Sequence, residues 1–249
     1  MSSKLRNYFI RNRYSIAVFL LLNLACVVCI GLVAARVAYS DTNEHLGLIW
    51  NLFLAWIPFM LSYFAHAISW RRNWLYLVIL ALAFLWLIFF PNAPYMLTDL
   101  QDLAQKTTHA PLWYDVLIVV WCSWTGMLLG VTSLYLMQNI IHRTFGRRPG
   151  WTFVFVISAI SSFGIYIGRF VRLNSWDILQ DPAETAAHIL QIITDPSMRL
   201  AAFTFLYAVF FLFVYLLLYS FSHLQQEQQS KAEDSPEQIE ATQPSNVEK

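Results

Sequence analysis

FFPNAPYMLTDLQD, residues 89–102, closes an apolar run with two prolines three apart and sets two aspartates, Asp99 and Asp102, just beyond them. The run before it, Trp74–Phe90, is about 25 Å long as a helix, barely enough to cross a bilayer. Pro91 ends it, and the residues preceding the prolines, Phe90 and Ala93, are biased toward extended backbone. The stretch reads as a stiff exit from a membrane span, a polar Asn92 and Tyr95, and then a short helix opening at Thr98. Thr98 followed by Gln101 fits a capping box, with Asp99 in the first turn near the positive helix end. Spacing of three puts Asp99 and Asp102 on one side of that helix.

The rest of the chain repeats the theme of long apolar runs. Of 249 residues, 58% are hydrophobic and 12% charged, against roughly 25% charged in a soluble domain. Six runs are long enough to cross: Tyr14–Ala38, Leu46–Ser69, Trp74–Phe90, Trp113–Ile141, Trp151–Gly168 and Ser197–Phe221. The expected fold is all-α, a polytopic membrane helix bundle. It has a basic N-terminus (1–13), a six-helix transmembrane domain (14–222) and a polar, Gln/Glu-rich tail (223–249) expected to be disordered. The first run exceeds the roughly 7–15 apolar residues of a cleaved signal and reads as an anchor. With a net charge of +1 and no basic patch interleaved with aromatics, the chain shows no nucleic-acid signature. Cys26 and Cys29 form a C-x-x-C, but both lie, with Cys122, in apolar runs that disfavour a thiolate and read as small filler.

Loop charges orient the bundle. With the N-terminus inside, the inner segments carry Lys4, Arg6, Arg11, Arg13, Arg71, Arg72, Arg143, Arg147 and Arg148, as the positive-inside tendency requires. The acids outside the tail fall at the outer face. Several are helix-start devices: Asp181-Pro182-Ala183-Glu184 opens a short helix over 182–193, expected to lie at the interface, and Asp195-Pro196 repeats the pattern before the last span. Asp115 opens the fourth span, where it offsets the helix dipole.

A second outer cluster, GRFVRLNSWD (168–177), supplies Arg169 and Arg172, three apart, followed by Asn174, Trp176 and Asp177. The two arginines either snorkel toward headgroups or pair with Asp99, Asp102, Asp115 or Asp177. Gly126 and Gly130 in the fourth span, and Gly164 and Gly168 in the fifth, have small-x-x-x-small spacing. If those faces meet, Asp115 comes near Arg169. The candidate polar site is therefore Asn92, Tyr95, Asp99, Asp102, Asp115, Arg169, Arg172, Asn174, Trp176 and Asp177.

FPNAPYMLTDL, the WYD at 113–115 and GIYIGRFVRLNSWDI together resemble a bacterial integral membrane family, domain of unknown function 1361. The resemblance covers roughly the second through sixth spans. It implies a protein of the plasma (inner) membrane and brings no activity, ligand or site with it.

Three readings stay open. The outer cluster is a polar-ligand site, in which Asp99, Asp102 and Asp115 hold a divalent cation or Arg169 and Arg172 clamp an anion such as a lipid headgroup or lipid-linked intermediate. Alternatively, the charges fasten loops to spans, and the tail recruits a cytoplasmic partner. The third reading is transport, aided by a bend at Pro58, though no carboxylate lies at mid-depth. No Ser or Cys nucleophile motif appears, His109 and His188 lack metal-ligand spacing, and no cofactor is assigned.

Overall fold

The computed structural model describes residues 13–40, 43, 45–69, 76–104, 111–173 and 180–233. Asn174, Trp176, Asp177, His109 and the tail from 234 onward lie outside the described residues. The elements are α1 (Arg13–Ser40), α2 (Leu46–Ser69), α3 (Tyr76–Phe89), α4 (Asn92–Tyr95), a 3₁₀ segment (Met96–Ala104), α5 (Leu112–Phe145), α6 (Arg147–Tyr166), a π turn (Ile167–Val171), α7 (Pro182–Thr194) and α8 (Met198–Glu233). No strand occurs among the described residues. Six helical stretches are long and apolar enough to cross a membrane, so the chain is an all-α, multi-pass membrane protein.

The bundle has a near end, where α1 begins, and a far end, where α1 finishes. Helix α5 is its hub: 61% of its apolar window is buried, against 22% for α1. One core cluster lies on its α1–α2 side, with Val33, Ala55, Phe59, Ile118 and Leu129. The other lies on its α6–α8 side, with Trp86, Met127, Val154, Phe211 and Tyr215. Lipid-facing positions stay apolar, as at Leu77 and Leu80 on α3, because a helix in hydrocarbon gains nothing from a polar outer face. Where polar groups are buried, they pair across helices. The Trp86 indole donates to Ser133 at 2.6 Å, and the Ser133 hydroxyl lies 3.0 Å from the Pro58 carbonyl, tying α3, α5 and α2.

At the near end, α5 and α6 are joined by Gly146 alone, whose φ of 98° suits a residue without a Cβ. The His142 ring lies across Gly150, within 1.7 Å of where a Cβ would stand.

Three local expectations are corrected. The chain does not leave the membrane in extended form at Pro91: Pro91 sits at φ −57°, ψ −25°, and α4 follows at once. Prolines are tolerated there because N–H groups in a first turn have no intrahelical acceptor. Thr98 is no N-cap; its hydroxyl donates back to the Tyr95 carbonyl at 2.8 Å from inside the 3₁₀ segment. The last span opens at Ser197, whose Oγ accepts from the Leu200 N–H, while Asp195 ends α7. Asp181 does cap α7, accepting from the Glu184 N–H at 3.2 Å. Helix α8 also runs past 222 to Glu233, since Gln, Glu, Lys and Ala propagate a helix already nucleated in the span.

Candidate functional site

The third span is broken in its own interior. The segment PNAPYM lies between α5 and α6 with Ala93, Pro94 and Met96 buried. The glycines make room for it. A Cβ on Gly126 would stand 2.7 Å from the Ala93 carbonyl oxygen, and one on Gly130 3.3 Å from Pro94 Cδ. A Cβ on Gly164 of α6 would stand 3.0 Å from Pro91, and one on Gly168 of the π turn 3.5 Å from the Tyr95 ring. The expected meeting of two glycine faces is thus corrected: all four positions cradle the proline segment. Gly126 is about four turns inside the start of α5, so this irregular backbone lies deep in the bundle.

Backbone away from water must find partners, and here side chains provide them. Tyr207 of α8 donates to the Pro94 carbonyl at 2.5 Å, and Ser123 of α5 donates to the Met96 carbonyl at 2.7 Å. The Phe90 carbonyl, which Pro94 has no N–H to reach, accepts from Ala93 at 3.1 Å.

From this mount the 3₁₀ segment rises toward the far end. Three residues per turn makes positions three apart eclipse, so Asp99 and Asp102 share one side. Arg169, one residue after the glycine that rests on Tyr95, meets both. Its Nη1 lies 3.4 Å from Asp99 Oδ1 and 3.3 Å from Asp102 Oδ2, and its Nη2 makes a close pair with Asp102 Oδ1. Asn51 of α2 donates to Asp99 Oδ2 at 2.9 Å. The cluster grades from closed to open, with side chains 5% exposed at Asp99, 14% at Arg169 and 40% at Asp102. Two carboxylates face one guanidinium in the described cluster.

Three irregular pieces of backbone converge here: the 3₁₀ segment, the π turn and Arg172. The π turn closes with the Arg172 N–H on the Ile167 carbonyl at 2.9 Å, and Arg172 stands left-handed at φ 65°. π turns frequently sit at functional sites, and left-handed non-glycine residues hold their strain where surrounding structure over-determines them.

Other candidates go elsewhere. Asn92 donates back to the Phe89 carbonyl at 2.9 Å and is half-buried. Arg172 is exposed at the rim. Asp115 does not approach Arg169: it accepts from Arg36 Nε at 2.5 Å and Nη2 at 3.1 Å, with His45 Nε2 3.7 Å away. The reason is length and direction, since α1 passes directly beside the start of α5 while α4 separates α5 from the end of α6. The three aspartates weighed as a cation site are therefore split, and among the described residues no group of three or more His, Cys, Asp or Glu is placed to hold a metal.

The sequence places Arg36 among the outer charges and Asn51 and Ser123 among the modest polarity of the spans, but gives none of them, nor Tyr207, a place in the candidate site. Arg36 had a signal: it lies inside an expected apolar span, where an ionisable group calls for a partner. Tyr207 had none, since tyrosine is common in such helices.

No curated protein and no solved structure matches the chain. A family model described as "Protein of unknown function (DUF1361)" matches residues 50–234. That interval holds Asn51, Asp99, Asp102 and Arg169, and leaves out all of α1 and the first residues of α2. The chain belongs to the DUF1361 family.

Proposed function

We propose that this membrane protein binds the anionic end of an amphiphile, a lipid headgroup or lipid-linked intermediate, at the far-end cluster. Arg169 is the partner of the anion, and Asp102 is the counterion it displaces. One observation carries the reading: of the two carboxylates on Arg169, one is enclosed and the other is 40% exposed. Asp99 is also held by Asn51. A guanidinium offers five donors in a planar fork, so it can keep Asp99 while a phosphate or carboxylate takes the edge now facing Asp102. An apolar groove of about 270 Å³, lined by Leu97, Phe203, Leu206, Tyr207 and Phe210, suits the tail. It adjoins the cluster, because Phe203 packs edge-on against Phe170, the residue after Arg169.

The broken third span favours a second reading, transport, because transporters bind solutes at interrupted helices. Against it, the Pro94 and Met96 carbonyls are already taken by Tyr207 and Ser123. In the orientation that the loop charges favour, the cluster faces outward from the plasma membrane. A cysteine placed at Gln101 then reacts with an impermeant thiol reagent on intact cells. Reaction only after permeabilisation would invert the topology.

The site itself is tested with dodecyl phosphate as the probe, by native mass spectrometry of the purified protein. Arg169→Gln is expected to lose the adduct. Asp102→Asn, which removes the competing carboxylate, is expected to strengthen retention about fivefold. If the cluster only fastens segments together, both variants lower thermal stability and neither changes retention.

A further inference from the structure

A further cavity has no part in the far-end cluster. It is a crevice of about 420 Å³ in the near half, walled by α1, α2, α5 and α8. Its trunk is apolar, built from Val18, Phe19, Phe59, Leu128, Val131 and Leu136. Its mouth is polar, with Tyr14 and Ser15 on α1 and Ser222 on α8. On α5 it extends from Leu128 to Leu136, about 12 Å along the helix. That is most of one leaflet's share of a hydrocarbon core roughly 30 Å thick. Its size lies within the usual range of ligand pockets, roughly 300–1,000 Å³.

The charge at the mouth says which amphiphile fits. Arg13 is exposed, with its guanidinium carbon 4.7 Å from the centre of the Tyr14 ring and its Nη2 donating to the Tyr14 hydroxyl at 3.0 Å. His223 stacks on Tyr219, another wall residue, at 4.2 Å between ring centres. Among the described residues, no carboxylate lines the crevice. In sequence, Lys4, Arg6 and Arg11 lie just before this end of α1. We propose that the crevice is a binding site for one acyl chain of an anionic phospholipid of the adjacent leaflet. The headgroup phosphate sits at Arg13, and the chain lies against α5 between α1 and α8. A zwitterionic lipid fills the same trunk but gains less at the mouth, since one basic residue near an anionic headgroup favours binding about fivefold.

Native mass spectrometry of the full chain in detergent, with dioleoylphosphatidylglycerol and dioleoylphosphatidylcholine offered separately, tests the site. The wild-type protein is expected to retain phosphatidylglycerol about fivefold more strongly than phosphatidylcholine. Arg13→Gln levels the two. Thr132→Trp, which fills the trunk, removes bound phospholipid of both kinds, and Val18→Trp on the opposite wall repeats the result should Thr132→Trp fold poorly. Leu80→Trp, on the lipid-exposed face of α3, leaves retention unchanged. The same comparisons made in an Arg169→Gln background, where the far-end cluster no longer holds an anion, give the same differences, which keeps this crevice separate from the far-end cluster. Wild-type retention by folded, monodisperse Thr132→Trp and Val18→Trp would overturn the proposal. Equal retention of the two lipids by the wild type would also overturn it. A dimer that dissociates in the trunk-filling variants would assign the crevice to a second copy of the chain instead.

Discussion

Among the described residues, an ion pair and an ion-paired cluster stand toward the far end of the bundle, and they are built on opposite terms. Arg36 and Asp115 lie on regular stretches of α1 and α5 and are enclosed, with side chains 1% and 3% exposed. Arg169 meets Asp99 and Asp102 where a π turn faces a 3₁₀ segment, and Asp102 is 40% exposed. A sealed pair on straight helices has no route for a ligand, and what it does is join α1 to the hub. The half-open cluster retains one exchangeable carboxylate on a backbone already held in unusual geometry. Charge in a membrane protein therefore carries two meanings here, and exposure together with backbone regularity separates them.

The largest effect expected from breaking this contrast is at the sealed pair. Arg36→Met leaves a buried carboxylate without its guanidinium partner and costs about 3–5 kcal/mol. Heating in detergent, followed by size-exclusion recovery, reads the loss. Arg36→Met combined with Asp115→Leu is expected to recover most of it, because removing both charges also removes the burial penalty. An unrecovered double variant would give the pair a role beyond fastening.

Next come the groups that hold the broken span. Gly126→Ala places a methyl 2.7 Å from a carbonyl oxygen, and overpacking of this kind costs about 1–3 kcal/mol. Gly31→Ala, which has open space around it, serves as the neutral control in the same melting assay. Tyr207→Phe removes the donor to the Pro94 carbonyl and is expected to cost about 1–3 kcal/mol as well. If it melts with the wild type, the Pro94 carbonyl has found another donor.

The smallest effect is expected at the open cluster. Asp102→Asn changes stability by less than about 1 kcal/mol, as partly exposed ion pairs do, while changing dodecyl phosphate retention. A destabilisation as large as that of Arg36→Met would erase the distinction between the two pairs.

Much of the architecture was legible in the residues. Apolar runs of bilayer length specify helices wherever water is absent, so the six spans follow from composition alone. Asp181-Pro182-Ala183-Glu184 is a helix start because its groups satisfy their own first turn. The three-residue spacing of Asp99 and Asp102 places them together in either an α or a 3₁₀ helix. The path of PNAPYM was not legible. Local preference for extended backbone before proline is a bias that burial between two glycine-faced helices overrides. The same contacts moved Gly126, Gly130, Gly164 and Gly168 from a helix–helix seam to a cradle.

What the sequence determined by itself was therefore local or one-dimensional: which runs span, which residues cap a turn, which carboxylates share a side. Tertiary structure decided the partners. Asp115 went to Arg36 and Asp102 to Arg169 because α4, wedged between α5 and α6, sets which helix ends approach. Charges three residues apart meet through the geometry of one helix; charges 67 or 79 residues apart meet only when packing brings their helices together.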